Sequence, residues 1–187
     1  MLILPEHRLV YLDHMKNATH TLYHVLGQCG AINEGVHHGY RDLPRYCLDW
    51  GVIAAVRDPY TRAVSVWRHL RARGTSELRL QMPGPHTWER SMEWIAAFTR
   101  GRAHWFGSSE AWYRRFNVVH VLHVETLEAD FRQLPFAHLH PQPLPRLHVT
   151  GPDDSGPATM SERAVAAIHR WAGADFEEYG YERRAAA

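Results

Sequence analysis

The sequence predicts an α/β fold: three layers, with a central, mostly parallel sheet flanked by helices, in one domain spanning residues 1–187. Three observations predict it. Short, apolar, β-rich runs stand at residues 8–12, 51–56 and 117–124. Each is followed by a stretch that reads as helix. The runs are continuous rather than alternating, as in strands covered on both faces. A chain of 187 residues is long enough to bury a real core within one ordinary domain.

The first run, Arg8-Leu9-Val10-Tyr11-Leu12, is short and reads as a buried strand. A polar turn from Asp13 to Ala18 follows. A helix is then expected from Thr19 to Gln28, where Leu22, Val25 and Leu26 recur at helical spacing and Gly27 and Gly30 offer stops. Residues 30–50 read as loop with a short helix. Gly51 to Val56 is the second strand, ending abruptly at Arg57-Asp58-Pro59. Asp58 suits an N-cap and Pro59 a first helical turn, so a helix is expected to about Ala72, with Ala63, Val64 and Trp67 inward. Gly74 to Pro85 reads as loop, Trp88 to Phe98 as helix and Trp112 to Phe116 as a short helical piece. Asn117 to Val124 is the third strand and Glu125 to Leu134 the next helix. A Pro- and His-rich connector spans Pro135 to Pro157. Thr159 or Ser161 caps a final helix through about Ala172, ahead of the closing Asp175-Phe176 and Tyr179-Gly180-Tyr181.

Composition removes several functions. The formal net charge is +1, far from the positive excess of a protein that coats nucleic acid, so no nucleic-acid partner is expected. No apolar run approaches the roughly 18–20 residues of a membrane span. Residues 1–6 lack the basic and apolar regions of a secretory leader, so a cytoplasmic protein is expected. Cys29 and Cys47 are too few for a disulfide framework and read as ordinary thiols of a reducing compartment. The 15 histidines include His37-His38, His120-x-x-His123 and His138-x-His140, but no His-Glu-x-x-His and no Cys at zinc-ligand spacing. No metal site is expected. Lys16 is the single lysine among 21 basic residues. Where arginine serves every generic cationic need, a retained lysine suggests a place for a compact ammonium.

Ligand sites in parallel sheets lie at the carboxyl ends of strands. Two of those ends are chemically loaded, with Lys16 after the first strand and Arg57 after the second. Lys16 lies just before a helix N-terminus, which presents unpaired N–H groups and partial positive charge to an anion. Thr19 and Thr21 add hydroxyls. The loop is not the glycine-rich phosphate loop of nucleoside-triphosphate hydrolases, which places its lysine at the helix start. Arg57 at a strand end can grip a phosphate bidentately, and Ser65, eight residues on, offers a hydroxyl to the same anion. Arg62 reads as the partner of a carboxylate or as a cap of a neighbouring element.

These residues resemble a known family. The loop His14-Met15-Lys16-Asn17-Ala18-Thr19-His20-Thr21 is similar to the 5′-phosphosulfate loop of sulfotransferases, written P-K-[TN]-[GA]-[GS]-T-S. Arg57-Asp58-Pro59-Tyr60-Thr61-Arg62-Ala63-Val64-Ser65 is similar to their 3′-phosphate motif, R-D-P-x-x-R-x-x-S. The stretch from Val121 to Phe131 resembles their strand-then-helix segment ending in E-N-L-x-x-D-F, and residues 174–181 their D-F-x-x-F-G-Y tail. The matches run in the family's order over nearly the whole chain. Met15 stands where the family has proline, and His20 where it has a hydroxyl.

The resemblance implies a P-loop-like sulfotransferase fold, 3′-phosphoadenylyl sulfate (PAPS) as donor, adenosine 3′,5′-bisphosphate (PAP) as product, and no metal. The acceptor would be a hydroxyl or amine of a small molecule or carbohydrate. Lys16 would neutralise the bridging oxygen as the 5′-phosphate departs. Asn17, Ala18, Thr19, His20 and Thr21 would cradle that phosphate, and Arg57 and Ser65 would hold the 3′-phosphate. The sulfuryl group carries less charge than a phosphoryl group, so a lysine suffices without a metal. For the base that takes the acceptor's proton, the expectation is His38, nineteen residues before Arg57, with His37 next, His20 third and Glu34 as a carboxylate alternative. Arg146 and His148 are candidates to cover the nucleotide. Trp88, Trp94, Trp105 and Trp112 lie in the acceptor-side region, the first two reading as helical core. The alternatives are a non-catalytic nucleotide-binding module on the same fold and a small-molecule kinase.

Overall fold

A computed structural model describes residues 1–35, 42–73, 87–99, 106–147 and 160–185. The chain is α/β, and its strands form one five-stranded mixed sheet in the order β3-β1-β2-β4-β5. The strands are β1 (Leu2–Leu4), β2 (Leu9–Leu12), β3 (Ile32–Asn33), β4 (Gly51–Val56) and β5 (Val118–His123). The helices are α1 (Thr19–Gln28), α2 (Pro59–Arg73), α3 (Trp88–Thr99), α4 (Ser109–Tyr113), α5 (Leu127–Phe131) and α6 (Glu162–Glu178). No helix among the described residues is long and apolar enough to cross a membrane.

The three expected strands are the parallel part. β2 pairs with β4 (Leu12↔Ala54) and β4 with β5 (Val56↔His123). The sheet is less parallel than expected, because β1 pairs antiparallel with both β2 and β3. Sequence patterning misses both added strands for a physical reason. β1 is three residues ending at Pro5, and β3 is two residues with exposed side chains, so neither carries a period. Gly51 opens β4 where space is short: a Cβ there would stand 2.6 Å from a Val119 methyl and 2.9 Å from a Leu9 methyl.

The chain forms two compact units, one of Met1–Arg57 with Tyr113–Val149 and one of Asp58–Trp112 with Thr150–Ala187. In the first, α1 buries Leu22, Val25 and Leu26 against Leu9, Tyr11, Ile53, Ala55 and Leu122 of the sheet and Phe131 of α5. In the second, α2, α3 and α6 bury Tyr60, Ala63, Val66, Met92, Ile95, Ile168, Trp171 and Phe176 together. Trp88 and Trp94 pack on this core, as their helical spacing suggested.

Helix ends explain the remaining differences. α1 has the expected bounds, and α2 ends one residue beyond Ala72. The expected helix over 112–116 lies earlier, because Asp175 accepts from the backbone N–H of Ser109 and of Glu110, both at 2.8 Å, and so starts α4 there. The expected helix over 125–134 is a 3-10 turn at Val124–Thr126 followed by the short α5. The Ser161 side chain caps α6 by accepting from Ala164 N. α6 runs past Ala172, where φ −128 and ψ 31 mark a break, to Glu178. It ends where the Tyr181 N–H donates to the Phe176 carbonyl and Gly180 takes φ +71, a left-handed turn that favours glycine.

Candidate functional site

Because β2, β4 and β5 are parallel and aligned, their carboxyl ends share one edge of the sheet. β3 ends at the same edge, since Leu2 is the partner of both Tyr11 and Asn33. The segments leaving this edge are the Lys16 loop after β2, Arg57 after β4, the turn after β5, and Glu34 after β3.

The Lys16 loop is built from buried polar groups. Asp13, His14 and Asn17 are fully buried. The Asn17 N–H donates to the His14 carbonyl at 3.2 Å, and the Asn17 side-chain amide donates to the Ala55 carbonyl of β4 at 2.8 Å. Tyr113 ties the same strands: its hydroxyl donates to the Leu12 carbonyl at 2.8 Å, and its ring meets His14 edge-on. Asp13 lies 3.0 Å from the Tyr23 hydroxyl and 3.0 Å from the Met1 amino group, so its buried charge is compensated. Burial, with the Asp13 carboxylate second, pushes the Tyr23 phenol far above its ordinary value.

On this base the backbone turns left-handed twice, at Lys16 (φ 69) and Ala18 (φ 57). Neither is glycine, and each left-handed residue costs roughly 1–2 kcal/mol. Strain of this kind concentrates where a loop's shape serves a ligand. A left-handed residue followed by a right-handed helical one turns successive N–H groups into a concavity for an anion, and Ala18 followed by Thr19 is such a pair. The first turn of α1 carries no acidic residue and no side-chain cap. Sequence gives no signal for this geometry, because neither position carries the glycine that usually marks it.

The predicted residues fall as follows. Lys16, Ala18, Thr19 and Arg57 are half-buried, Asn17 and Thr21 buried, and His20 exposed. The Thr21 hydroxyl is held by the connector: it donates to the Pro145 carbonyl at 3.1 Å and lies 3.4 Å from Leu147 N. This brings the backbone of Arg146 to the first turn of α1. Glu34 is exposed, directly after β3. The Tyr23 hydroxyl that contacts Asp13 also bonds the Gly35 carbonyl, so the chain is tied beside the Lys16 loop just before residues 36–41. His37 and His38 lie outside the described residues, as do Trp105 and His148.

The second unit holds Ser65, buried on α2, and the Arg62 cluster. Asp58 caps α2, its carboxylate accepting from Thr61 N at 2.8 Å. Arg62 is fully buried; it donates to the Gly107 carbonyl at 2.7 Å, and its guanidinium stands 4.9 Å from the Trp171 ring centre. Burial pushes the Asp175 carboxyl up, against the pull of Arg62 and of the Ser109 and Glu110 N–H groups. Arg62 and Asp175 thus hold the α4 approach in place, and Asp175 of the closing motif does structural work here.

Among the described residues no three His, Cys, Asp or Glu side chains group as metal ligands. No protein-family model, curated protein or solved structure matches the chain.

Proposed function

We propose that the chain is an enzyme of a P-loop-like sulfotransferase fold, which binds PAPS and moves its sulfuryl group to an acceptor hydroxyl or amine. One observation carries this reading: parallel, adjacent β2 and β4 lead at the same edge into the strained Lys16 loop and into Arg57. Adjacent strands lie about 4.8 Å apart, a spacing that suits two cations gripping two phosphates of one nucleotide. Residue 57 is also in phase with Ile53 and Ala55, which face α1.

In this mechanism the acceptor oxygen attacks sulfur in line while its proton passes to a base. The bond between sulfur and the 5′-phosphate oxygen breaks, and its electron pair stays on that oxygen. Lys16 and the amides of residues 17–21 stabilise the charge that develops there. Adenosine 3′,5′-bisphosphate leaves. His38 is the first choice of base, then His37, His20 and Glu34. The reaction needs no metal, since the transferred group is less charged than a phosphoryl group. Arg146, whose neighbours Pro145 and Leu147 contact Thr21 through their backbones, would lie over the nucleotide.

Calorimetric titration with adenosine 3′,5′-bisphosphate tests the reading. Arg57→Ala is expected to weaken binding about 10- to 100-fold, the loss of a charged hydrogen-bonded pair. Lys16→Ala is expected to lower sulfuryl transfer about 100- to 1000-fold. Absence of bisphosphate binding, or Arg57→Ala binding like wild type, contradicts the reading. His20, in place of the family's hydroxyl, favours a second reading as a non-catalytic nucleotide-binding module. Its signature is full bisphosphate affinity with no transfer to any acceptor. A small-molecule kinase would instead show strict dependence on ATP and Mg²⁺.

A further inference from the structure

β2 carries one polar atom that packing does not explain. Tyr11 is fully buried in the core that α1 shares with the sheet, beside its register partner Ile53. Its ring meets Tyr23 of α1 edge-on, with 6.1 Å between ring centres. Among the described residues the Tyr11 hydroxyl has no hydrogen-bond partner. A buried hydroxyl without a partner costs stability, and phenylalanine would fill the same space without that cost.

The group that faces this hydroxyl belongs to the first turn of α1. Thr19 stands four residues before Tyr23 and so shares its helix face. Its hydroxyl acts on the Tyr11 phenol as a hydrogen-bonding neighbour. In this structure the Thr19 hydroxyl donates to the His14 carbonyl over a long 3.4 Å. That carbonyl keeps the Asn17 N–H, at 3.2 Å, if Thr19 turns away. The other polar groups around Tyr11 are held more closely elsewhere: Tyr113 at 2.8 Å from the Leu12 carbonyl, and Asp13 and Tyr23 at 3.0 Å from each other. Burial above all, then Tyr113, Asp13 and Tyr23, push the Tyr11 phenol well above its ordinary value, so it keeps its proton and donates. A threonine hydroxyl gives one proton and accepts at two lone pairs. Thr19 can therefore accept from Tyr11 and donate to an anion at once, and the donor behind it strengthens the outer bond. Thr19 is half-buried and directly follows the left-handed Ala18, so it belongs to the concavity that faces an anion.

We propose that Tyr11 is the inner member of a two-hydroxyl relay: when the 5′-phosphate seats on the α1 N-terminus, the Tyr11 hydroxyl donates to Thr19 Oγ1 and the Thr19 hydroxyl donates to the phosphate. The hydroxyl that is unpartnered in the free protein is paired in the bound one. The proposal rests on the donor site assigned above. Thr19 is the binding residue, and Tyr11 is a positioning residue that acts through it.

The test pairs affinity with stability, because a relay and a packing role move them differently. Calorimetry on the full chain with adenosine 3′,5′-bisphosphate is expected to show Tyr11→Phe binding about three- to tenfold more weakly, the worth of one neutral hydrogen bond. Its ligand-free melting temperature is expected to equal or exceed that of wild type. Thr19→Ala is expected to weaken binding about 10- to 100-fold, the loss of a bond to a charged group. Adding Tyr11→Phe to Thr19→Ala is expected to cost nothing further, since the inner hydroxyl acts through the outer one. A readout on wild type covers the case of variants that do not fold: in protein labelled with ¹³C at tyrosine Cζ, the Tyr11 resonance moves when the bisphosphate binds. Unchanged affinity in Tyr11→Phe, a ligand-free melting temperature below wild type, additive losses in the double variant, or an unmoved resonance overturns the proposal. If that happens while Arg57→Ala still weakens the bisphosphate, the donor site stands and only Tyr11 is misassigned. If wild type binds no bisphosphate, the donor site and the relay fall together.

Discussion

Lys16 and Ala18 hold left-handed backbone without glycine, and this strain can be measured. Ala18→Gly removes roughly 1–2 kcal/mol of native strain but adds roughly 0.5–1 kcal/mol of unfolded-chain entropy. The net expectation is a gain of about 0.5–1 kcal/mol, read as a melting temperature about 1–4 °C higher. An unchanged or lower melting temperature would mean that position 18 is not strained. Arg62 tests the opposite sign. Its removal leaves buried Asp175 with its two N–H donors and without the guanidinium. Arg62→Ala is expected to cost about 3–5 kcal/mol in urea unfolding. Arg62→Lys is expected to recover little, because a compact ammonium cannot both donate to Gly107 and lie over Trp171 as the planar group does.

At the scale of elements, α6 joins the core of the second unit through Tyr60, whose hydroxyl lies 2.7 Å from His169 Nε2. A neutral ring with its proton on Nδ1 accepts this bond from the hydroxyl, which itself accepts from the Arg184 N–H at 2.7 Å. Burial holds the His169 ring below its ordinary value of 6.5, and the Arg183 guanidinium adds to the effect. The unfolded chain therefore takes up this proton first as the pH falls. The stability contributed by His169 is whole above 6.5 and is lost as the pH falls through the lower folded value. Urea unfolding at pH 8 and pH 5.5 is expected to show a drop that His169→Gln reduces, since glutamine keeps an acceptor and does not titrate. An identical drop in the variant would place the titrating group elsewhere. Elements also differ in how far the sequence reveals them. β2 and β4 are readable as continuous apolar runs, and α1 and α2 because they are long enough to carry a period and are bounded by glycine or by Asp58-Pro59. β1 and β3 carry no period, and α4 begins where a carboxylate 65 residues away in sequence caps it. Such a long-range cap has no local signature.

For the whole molecule, the sequence placed Lys16 and Arg57 at two strand ends, and strand order supplies what spacing along the chain cannot: that β2 and β4 are neighbours. Asp13 and Tyr23, which help to build the Lys16 loop, are not singled out by the sequence, because an aspartate after a strand reads as an ordinary turn residue and a tyrosine on a helix as packing. The Tyr11 hydroxyl lies hidden for a related reason, since a tyrosine within an apolar strand reads as core. The central claim is that one nucleotide spans the carboxyl ends of β2 and β4. A crystal structure with adenosine 3′,5′-bisphosphate tests it most directly. The expected result has the 5′-phosphate within hydrogen-bond distance of Lys16 Nζ and the amides of residues 17–21, with the 3′-phosphate on the Arg57 guanidinium. A bisphosphate bound away from this edge, or touching neither Lys16 nor Arg57, would contradict it.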